Sequence, residues 1–416
     1  MNTRVLLTAL FAIFMWNLGF AQNKTKKTIF IIVDGIAPDM LEKTEIPNLK
    51  RIAKEGFLKK AYVGGRKGDY SESPTISAVG YNTVLTGTWA NKHNVFGNGI
   101  EDPNYKYPTI FRLFEDQFPE KTTAVFSTWL DNRTKLVGDG LAATDNIKID
   151  IHFDGYENDT INFPHDKHAL YLKKIDSVVA ERASETVRKQ APDLSWVYLE
   201  HTDDIGHRYG DSPELYKIIS YEDRLIGKIY DAVKFREKNF NEEWLFVVTT
   251  DHGRTEKDGK HHGGQSARER ATWVVMNQPN PNLYTKTTDM VAAVDILPTI
   301  VDFLNISVPE KYQKELDGSS LLSPVYAHNM KASISGNRLS VAWDTYAPGN
   351  RTGEIFITNS NNFRTGGEDQ YTSLGKVKLS AKKFNKELKL PLSDHYKILL
   401  KNNGTYINTW IKNTTK

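Results

Sequence analysis

Apolar positions along this 416-residue chain follow two different rhythms. Up to about residue 330 they come in short unbroken runs: "TIFIIVDG" at 28 to 35, "TAVFSTW" at 123 to 129, "LSWVYLEHTD" at 194 to 203, "WLFVVTTDHG" at 244 to 253 and "TWVVMN" at 272 to 277. Runs without polar alternation predict strands buried on both faces, as in a parallel sheet layered by helices. Helical patterns separate them. The clearest starts with Ser212 as N-cap and Pro213 at the first helical position, and sets Leu215, Ile218, Ile219, Ile226, Ile229 and Val233 on one face. Strand and helix in alternation predict an α/β domain.

Beyond residue 330 the rhythm changes to short alternating segments, Leu339, Val341, Trp343 and then Val377, Leu379, Ala381. The segments "HYKILLKN" and "TYINTWI" flank Asn403 and Gly404, a strong hairpin signal. This texture predicts a small β-sandwich over 333–416, after an α/β domain over 22–330. Two domains suit a chain longer than a single core usually serves. The second is read as a stabilising appendage in preference to a carbohydrate-binding or docking module.

Composition is ordinary for a globular chain, with 39% hydrophobic and 25% charged residues and a formal net charge of +3. No basic cluster of the kind that tracks nucleic-acid phosphates stands out, and no later apolar run is long enough to span a bilayer. The start, "MNTRVLLTALFAIFMWNLGFAQ", has Arg4, an apolar stretch through Trp16, and small Gly19 and Ala21 before a cut after Ala21. It predicts a secretory signal peptide, 1–21, and a periplasmic or secreted product. An uncleaved anchor is the competing reading, disfavoured because the apolar stretch is short. Cys is absent, so any metal must be held by His and carboxylates.

Candidate ligands of that type fall at strand ends, where open parallel sheets bind their ligands. Asp34 follows the first strand, Asp203 and His207 follow the third, and Asp251 with His252 follows the fourth. His262 adds an imidazole on a Gly-rich loop, with His261 as the alternative. A single strand-end Asp is more often a helix cap. Three of them, two with a His nearby, and the imidazole of His262 suggest two ions, one held by two carboxylates and a His, the other by one carboxylate and two His. Oxygen and nitrogen donors suit two Zn²⁺, with Mn²⁺ or Fe as alternatives. Such a pair clamps phosphorus during in-line displacement and can activate a hydroxyl. The stretch "SPTISAVGYNTVLTG" at 73 to 87 offers three, Ser73, Thr75 and Ser77.

Several motifs together resemble the alkaline phosphatase superfamily, nearest its type I phosphodiesterase and nucleotide pyrophosphatase branch. They are "VDG" at 33 to 35, "IPNLKRIAKEG" at 46 to 56, "DDIGH" at 203 to 207, "TTDHGR" at 249 to 254, "HGG" at 262 to 264 and "VDILPTIVDFL" at 294 to 304. The resemblance covers roughly 28 to 325. It implies an alkaline-phosphatase-like fold and a nucleophile ten residues before Gly87, which is Ser77. It further implies that Asp34, Asp251 and His252 hold the metal that activates Ser77, that Asp203, His207 and His262 hold the second, and that Asn98 contacts a phosphoryl oxygen. Where that branch has "TFPNHY", this chain has "SAVGYN", with Ser as nucleophile and Gly80 in place of a polar Asn.

The expected activity is hydrolysis of a small-molecule phosphate ester, a diester or nucleotide pyrophosphate bond, through a phosphoserine. A phosphomonoesterase is the alternative. Relatives specialised for monoesters meet the extra charge with cationic side chains, in some a Lys-x-Arg pair, where "STWLDNR" has Trp129 and Asp131, with Arg133 nearby as a substitute cation. Sulfatases need a C/S-x-P-x-R pattern that is missing, and phosphoglycerate mutases are cytoplasmic with a large insertion. A non-catalytic secreted binding protein would be expected to have lost its ligands, and every one is present.

Overall fold

The computed structural model describes residues 23–346, 349–389, 391 and 393–412, so the expected signal peptide lies outside the described residues. Eight strands make one sheet: β1 (Thr25–Val33), β2 (Phe57–Tyr62), β3 (Thr123–Ser127), β4 (Ile151–Phe153), β5 (Leu194–Leu199), β6 (Glu242–Thr249), β7 (Ala271–Met276) and β8 (Val291–Ala292). Their order is β4-β3-β5-β1-β6-β7-β2-β8. The first five in that order run parallel.

Seven described helices have eight residues or more: α1 (Pro47–Glu55), α2 (Ser77–Thr86), α3 (Ile110–Gln117), α4 (Leu170–Lys189), α5 (His201–Tyr209), α6 (Pro213–Asn239) and α7 (Ile296–Leu304). Two apolar cores show that they layer both faces. Phe30, Ile32, Trp196 and Val247 pack with residues of α2, α3 and α7, while Ile29, Ile31, Val197 and Phe246 pack with α1, α4 and α6. Alternate residues of one strand thus enter opposite cores, which is why the strands read as unbroken apolar runs. Ser212 caps α6, accepting from Leu215 N–H, and Leu215, Ile219, Ile226, Ile229 and Val233 are buried with Ile218 half-buried against them.

Two details of the eight-stranded sheet differ from the reading of the sequence. The run at 272 to 277 forms β7, but it pairs antiparallel to β6. Residues 250–270 hold only the short helix Ala267–Arg270, so the chain never crosses a face to restart from the other edge, as a parallel strand requires. The run at 194 to 203 ends as a strand at Leu199, and α5 begins at His201.

The C-terminal region has two antiparallel sheets, β13-β10-β9 and β12-β11-β14-β15. Their strands are β9 (Ala327–Ser335), β10 (Arg338–Thr345), β11 (Thr352–Thr358), β12 (Thr372–Lys378), β13 (Lys383–Glu387), β14 (His395–Asn402) and β15 (Thr405–Lys412). Leu339, Val341 and Trp343 of the first pack against Ile355, Ile357, Ile398 and Leu400 of the second. Asn403 and Gly404 both have positive φ, 49° and 82°, as a two-residue hairpin turn demands. The alternation at Val377, Leu379 and Ala381 is not one strand, since β12 stops at Lys378 and a 3₁₀ turn follows. Buried Lys92 joins the two regions, donating to Asp317 at 2.7 Å and to Asn408 of β15 at 3.0 Å.

Candidate active site

The carboxyl ends of β1, β5 and β6 converge on one edge of the sheet. Asp34 lies one residue past β1 and is buried. Its Oδ2 accepts hydrogen bonds from Tyr198 at 2.7 Å and from Tyr81, whereas its Oδ1 has no partner and lies 3.2 Å from His252 Nε2. Burial, then the Asp34 charge, pushes both phenols well above their ordinary range, so they stay protonated donors. Asp251 Oδ1 accepts from Gly35 N–H at 3.0 Å, and its unpartnered Oδ2 stands 3.3 Å from His252 Nε2.

Asp203 and His207 sit one turn apart on α5, 3.2 Å from each other, and His207 Nε2 is 3.1 Å from His262 Nε2. Two groups bring their donor atoms close enough to hold an ion: Asp203, His207 and His262, and Asp34, Asp203 and His252. Asp203 therefore belongs to both, where the resemblance gives it to one ion and gives Asp251 to the other. Arg254 explains its position, since its buried guanidinium binds the Asp203 Oδ1 at 2.6 Å and the backbone carbonyl at 2.9 Å. His261 lies outside both groups and is exposed.

The residues fit divalent cations on three counts. Asp34 Oδ1 and Asp251 Oδ2 are buried with no partner, a costly state unless something positive faces them. His252 Nδ1 donates to the Gly253 carbonyl at 2.9 Å and His262 Nδ1 to that of Thr75 at 3.0 Å, which leaves each Nε2 with a lone pair aimed into the cluster. The charges are also mismatched without a cation. Burial and then the Asp34 charge push Asp251 far above the carboxylate range. Burial pulls His252 down, but Asp251, Asp34 and Asp203 outweigh it and lift the imidazole to about 9. His262, pressed by burial and by His252, falls to about 4.

Ser77 opens α2, with Oγ 3.3 Å from His252 Nε2. Asn98 accepts from Ala78 N–H at 3.0 Å through Oδ1, so its exposed amide stands at the start of the same helix. Gly80 has a steric cause: a Cβ there would lie 2.6 Å from the Asp251 carbonyl oxygen, so α2 could not lie this close to β6 with Asn in its place. Of the other two hydroxyls, Ser73 Oγ is buried without a partner. Thr75 Oγ1 donates to the Gly264 carbonyl and accepts from Gly263 N–H, which ties down the loop that carries His262.

Residues 28–383 match the family described as type I phosphodiesterase / nucleotide pyrophosphatase. The chain belongs to this family. An uncharacterized pyrophosphatase/phosphodiesterase of Schizosaccharomyces pombe is 25% identical over 56% of this chain and 45% of its own length. A venom phosphodiesterase of Crotalus durissus collilineatus is 23% identical over 57% and 27%. The chain thus spans less than half the length of these curated relatives. Among solved structures, the phosphonate monoester hydrolase of Agrobacterium radiobacter shares the fold, with a TM-score of 0.50, 13% identity, and 93% of this chain and 89% of that one covered.

Within this family member, Tyr81, Tyr198 and Arg254 support the site beyond the residues named from the sequence, and so does Thr75, named there only as a candidate hydroxyl. Tyr81 had a readable signal, since it follows Ser77 by four residues and so shares its helix face. Tyr198 had none, because its place beside Asp34 follows from strand pairing, Ile32 with Tyr198. Half-buried Trp129 meets Tyr81 edge-on, ring centres 6.3 Å apart. Asp131 pairs with Lys135 at 2.8 Å. Arg133 is engaged by Asp154 at 2.6 Å and by Asp139.

Proposed function

We propose that the protein is a secreted or periplasmic two-metal hydrolase of phosphate diesters or nucleotide pyrophosphate bonds, acting through a covalent phosphoserine at Ser77. The observation that carries this is the placement of Ser77 Oγ 3.3 Å from His252 Nε2, at a helix start beside the Asp34, Asp203 and His252 group. Two divalent ions, zinc on the donor set, would supply the charge that makes a serine alkoxide accessible near neutral pH and neutralises the phosphoryl oxygens.

Ser77 Oγ gives its proton to solvent and forms the bond to phosphorus as the bond to the leaving alcohol breaks, and that alcohol takes a proton from water. Asn98 and the first N–H groups of α2 hold the phosphoryl oxygens in line, where a helix start favours negative charge. Water then attacks phosphorus from the opposite side. The serine oxygen regains a proton, and two inversions leave the configuration unchanged.

Ser77→Ala should abolish turnover, by about 10⁴-fold or more in kcat, without loss of bound metal. Acid quenching should trap the substrate's phosphoryl group on residue 77 in the wild type, with the ester substituent that did not leave still attached, read by mass spectrometry. The two hydrogen bonds that the Thr75 hydroxyl makes in the His262 loop support Ser77 over Thr75 as the nucleophile. Thr75→Ser should keep activity, and Thr75→Ala should lower metal affinity. A Ser77→Ala enzyme that still turns over with trapped phosphate on Thr75 would move the nucleophile. Purification without stoichiometric zinc or another divalent ion would favour a binding protein.

Diesters are the favoured substrates because the stretch that would supply cations for a monoester's extra charge holds Trp129 and Asp131, with Arg133 bound to two carboxylates. An aromatic face suits an organic substituent on the phosphate. The ratio of kcat/KM for bis-aryl phosphate to that for aryl monophosphate should exceed one. A monoester preference lost in Arg133→Ala would establish the phosphomonoesterase alternative.

A further inference from the structure

The whole-chain charge of +3 conceals two opposed regions. Residues 327–416 carry fourteen Lys and Arg against six Asp and Glu, a net +8, whereas residues 22–326 carry 39 against 45, a net −6. The excess is concentrated in "KVKLSAKKFNKELK" at 376 to 389, with six lysines and one acid. A basic cluster therefore does exist. It is invisible in the overall balance because the catalytic region cancels it.

The fold spreads these lysines across one side of the sandwich. β12 and β13 are edge strands of the two facing sheets, and Lys386 bridges them by donating to the Leu374 carbonyl at 2.7 Å. Lys376, Lys378, Lys382, Lys383, Lys386 and Lys389 are all exposed. Next to them, the outer face of β13-β10-β9 aligns Lys331, Ala342 and Lys383 in one cross-strand row, then Ser333, Ser340 and Asn385 in the next. Small residues stand between the lysines in these rows, and the row after them sets Arg338 between Ser335 and Glu387.

Among the described residues the six lysines form no ion pair. The sandwich lysines that do, Lys397 and Lys401, turn to Glu315, Asp369 and Glu310. Exposed lysines without an ion pair are available to an outside anion. The rows described contain no aromatic side chain on which a base could stack, which disfavours single-stranded nucleic acid. No apolar anchor of the kind that centres a protein interface is present there either.

We propose that this side of the sandwich docks the protein on an anionic lipid surface. Lysines spread over the edge strands of two sheets present many separate contacts to a surface of headgroup charges, where one linear polyanion would follow a single line. The opposed charge of the catalytic region adds a torque, because a negative surface attracts the sandwich and repels the catalytic region. The molecule would bind with one orientation. Binding of this kind needs no spanning helix, and among the described residues no helix is long and apolar enough to cross a membrane.

The test is flotation of the full mature chain with vesicles of phosphatidylcholine alone or mixed with phosphatidylglycerol, at rising salt. The chain should float with the mixed vesicles only, and release as salt shortens the reach of surface charge. Each lysine brought to the surface contributes about fivefold in partitioning, so Lys378→Glu, Lys382→Glu and Lys383→Glu together should abolish flotation. Lys376→Gln with Lys378→Gln should weaken it by about 25-fold. Both variants should hydrolyse a soluble aryl phosphate ester as the wild type does, which shows that they are folded. Lys50→Glu with Lys228→Glu, on the catalytic region, should float unchanged. Equal flotation with neutral vesicles, retention by the triple variant, or tighter binding to duplex DNA or heparin than to the mixed vesicles would each overturn the proposal.

Discussion

The two groups of candidate metal ligands share Asp203 but differ in how firmly the fold holds them. The group around Asp34 and His252 lies at the ends of central strands, with Asp34 and His252 at 1% and 0% exposure, and Asp34 is oriented by Tyr81 and Tyr198. The group around His207 hangs on one turn of α5 and one loop, and the His207 side chain is 41% exposed. Strand ends in a packed sheet place atoms rigidly, whereas a loop needs its own clamps, here Thr75 on the His262 segment. The part of the site next to Ser77 is the preorganised part.

That contrast can be broken most forcefully at the shared residue. Asp203→Asn should deplete metal from both groups and lower kcat/KM by about 10³-fold or more, because removing a ligand from two ions costs more than removing a partner outside the ligand set. Elemental analysis and kinetics on the same preparation check it. Loss of a single equivalent would show that Asp203 serves one ion only.

A smaller effect is expected from comparing His207→Ala with His252→Ala. The His207 variant should lose one ion and regain activity as metal is added, since its gap opens to solvent. The His252 variant should stay inactive at any metal concentration and melt at a lower temperature, because it leaves buried carboxylates facing each other. Rescue of both to the same degree would erase the distinction.

Tyr81→Phe removes a hydrogen bond to Asp34 but little volume. About 10- to 100-fold in metal affinity or activity is expected from such a partner. Titration of the metal-free variant with zinc would measure it. An unchanged affinity would mean that Tyr198 alone orients Asp34.

The last effect, absent at neutral pH, concerns His93, buried beneath the helix that carries Ser77. Its Nδ1 accepts from Val95 N–H at 3.1 Å, its Nε2 lies 3.3 Å from Thr83 Oγ1, and burial pulls its pKa from 6.5 down to about 3. The unfolded chain therefore takes up the proton first. This contribution to stability is complete above pH 6.5 and is lost as pH falls towards 3, by at most about 1.4 kcal/mol per pH unit. Urea unfolding of the wild type and His93→Gln should show that slope in their difference. Parallel pH profiles would refute a neutral buried His93.

What could be read from the residues alone was local and periodic. Unbroken apolar runs marked β1, β3, β5 and β6, the Ser212-Pro213 start marked α6, and Asn403-Gly404 marked the hairpin, since each depends on neighbours in sequence. The metal-type residues were legible because chemistry restricts ligands to few side chains and the sheet gathers strand ends on one edge. The direction of β7 was not, because antiparallel pairing depends on where residues 250–270 go, which is to build the site and not to cross the sheet. Nor was the sharing of Asp203, which Arg254 positions from 51 residues away. Gly80 looked like a missing polar group, and only the approach of α2 to the Asp251 carbonyl reveals it as a steric requirement. Periodicity and chemical type are encoded within a few residues, but contacts between distant segments exist only once the chain has closed on itself.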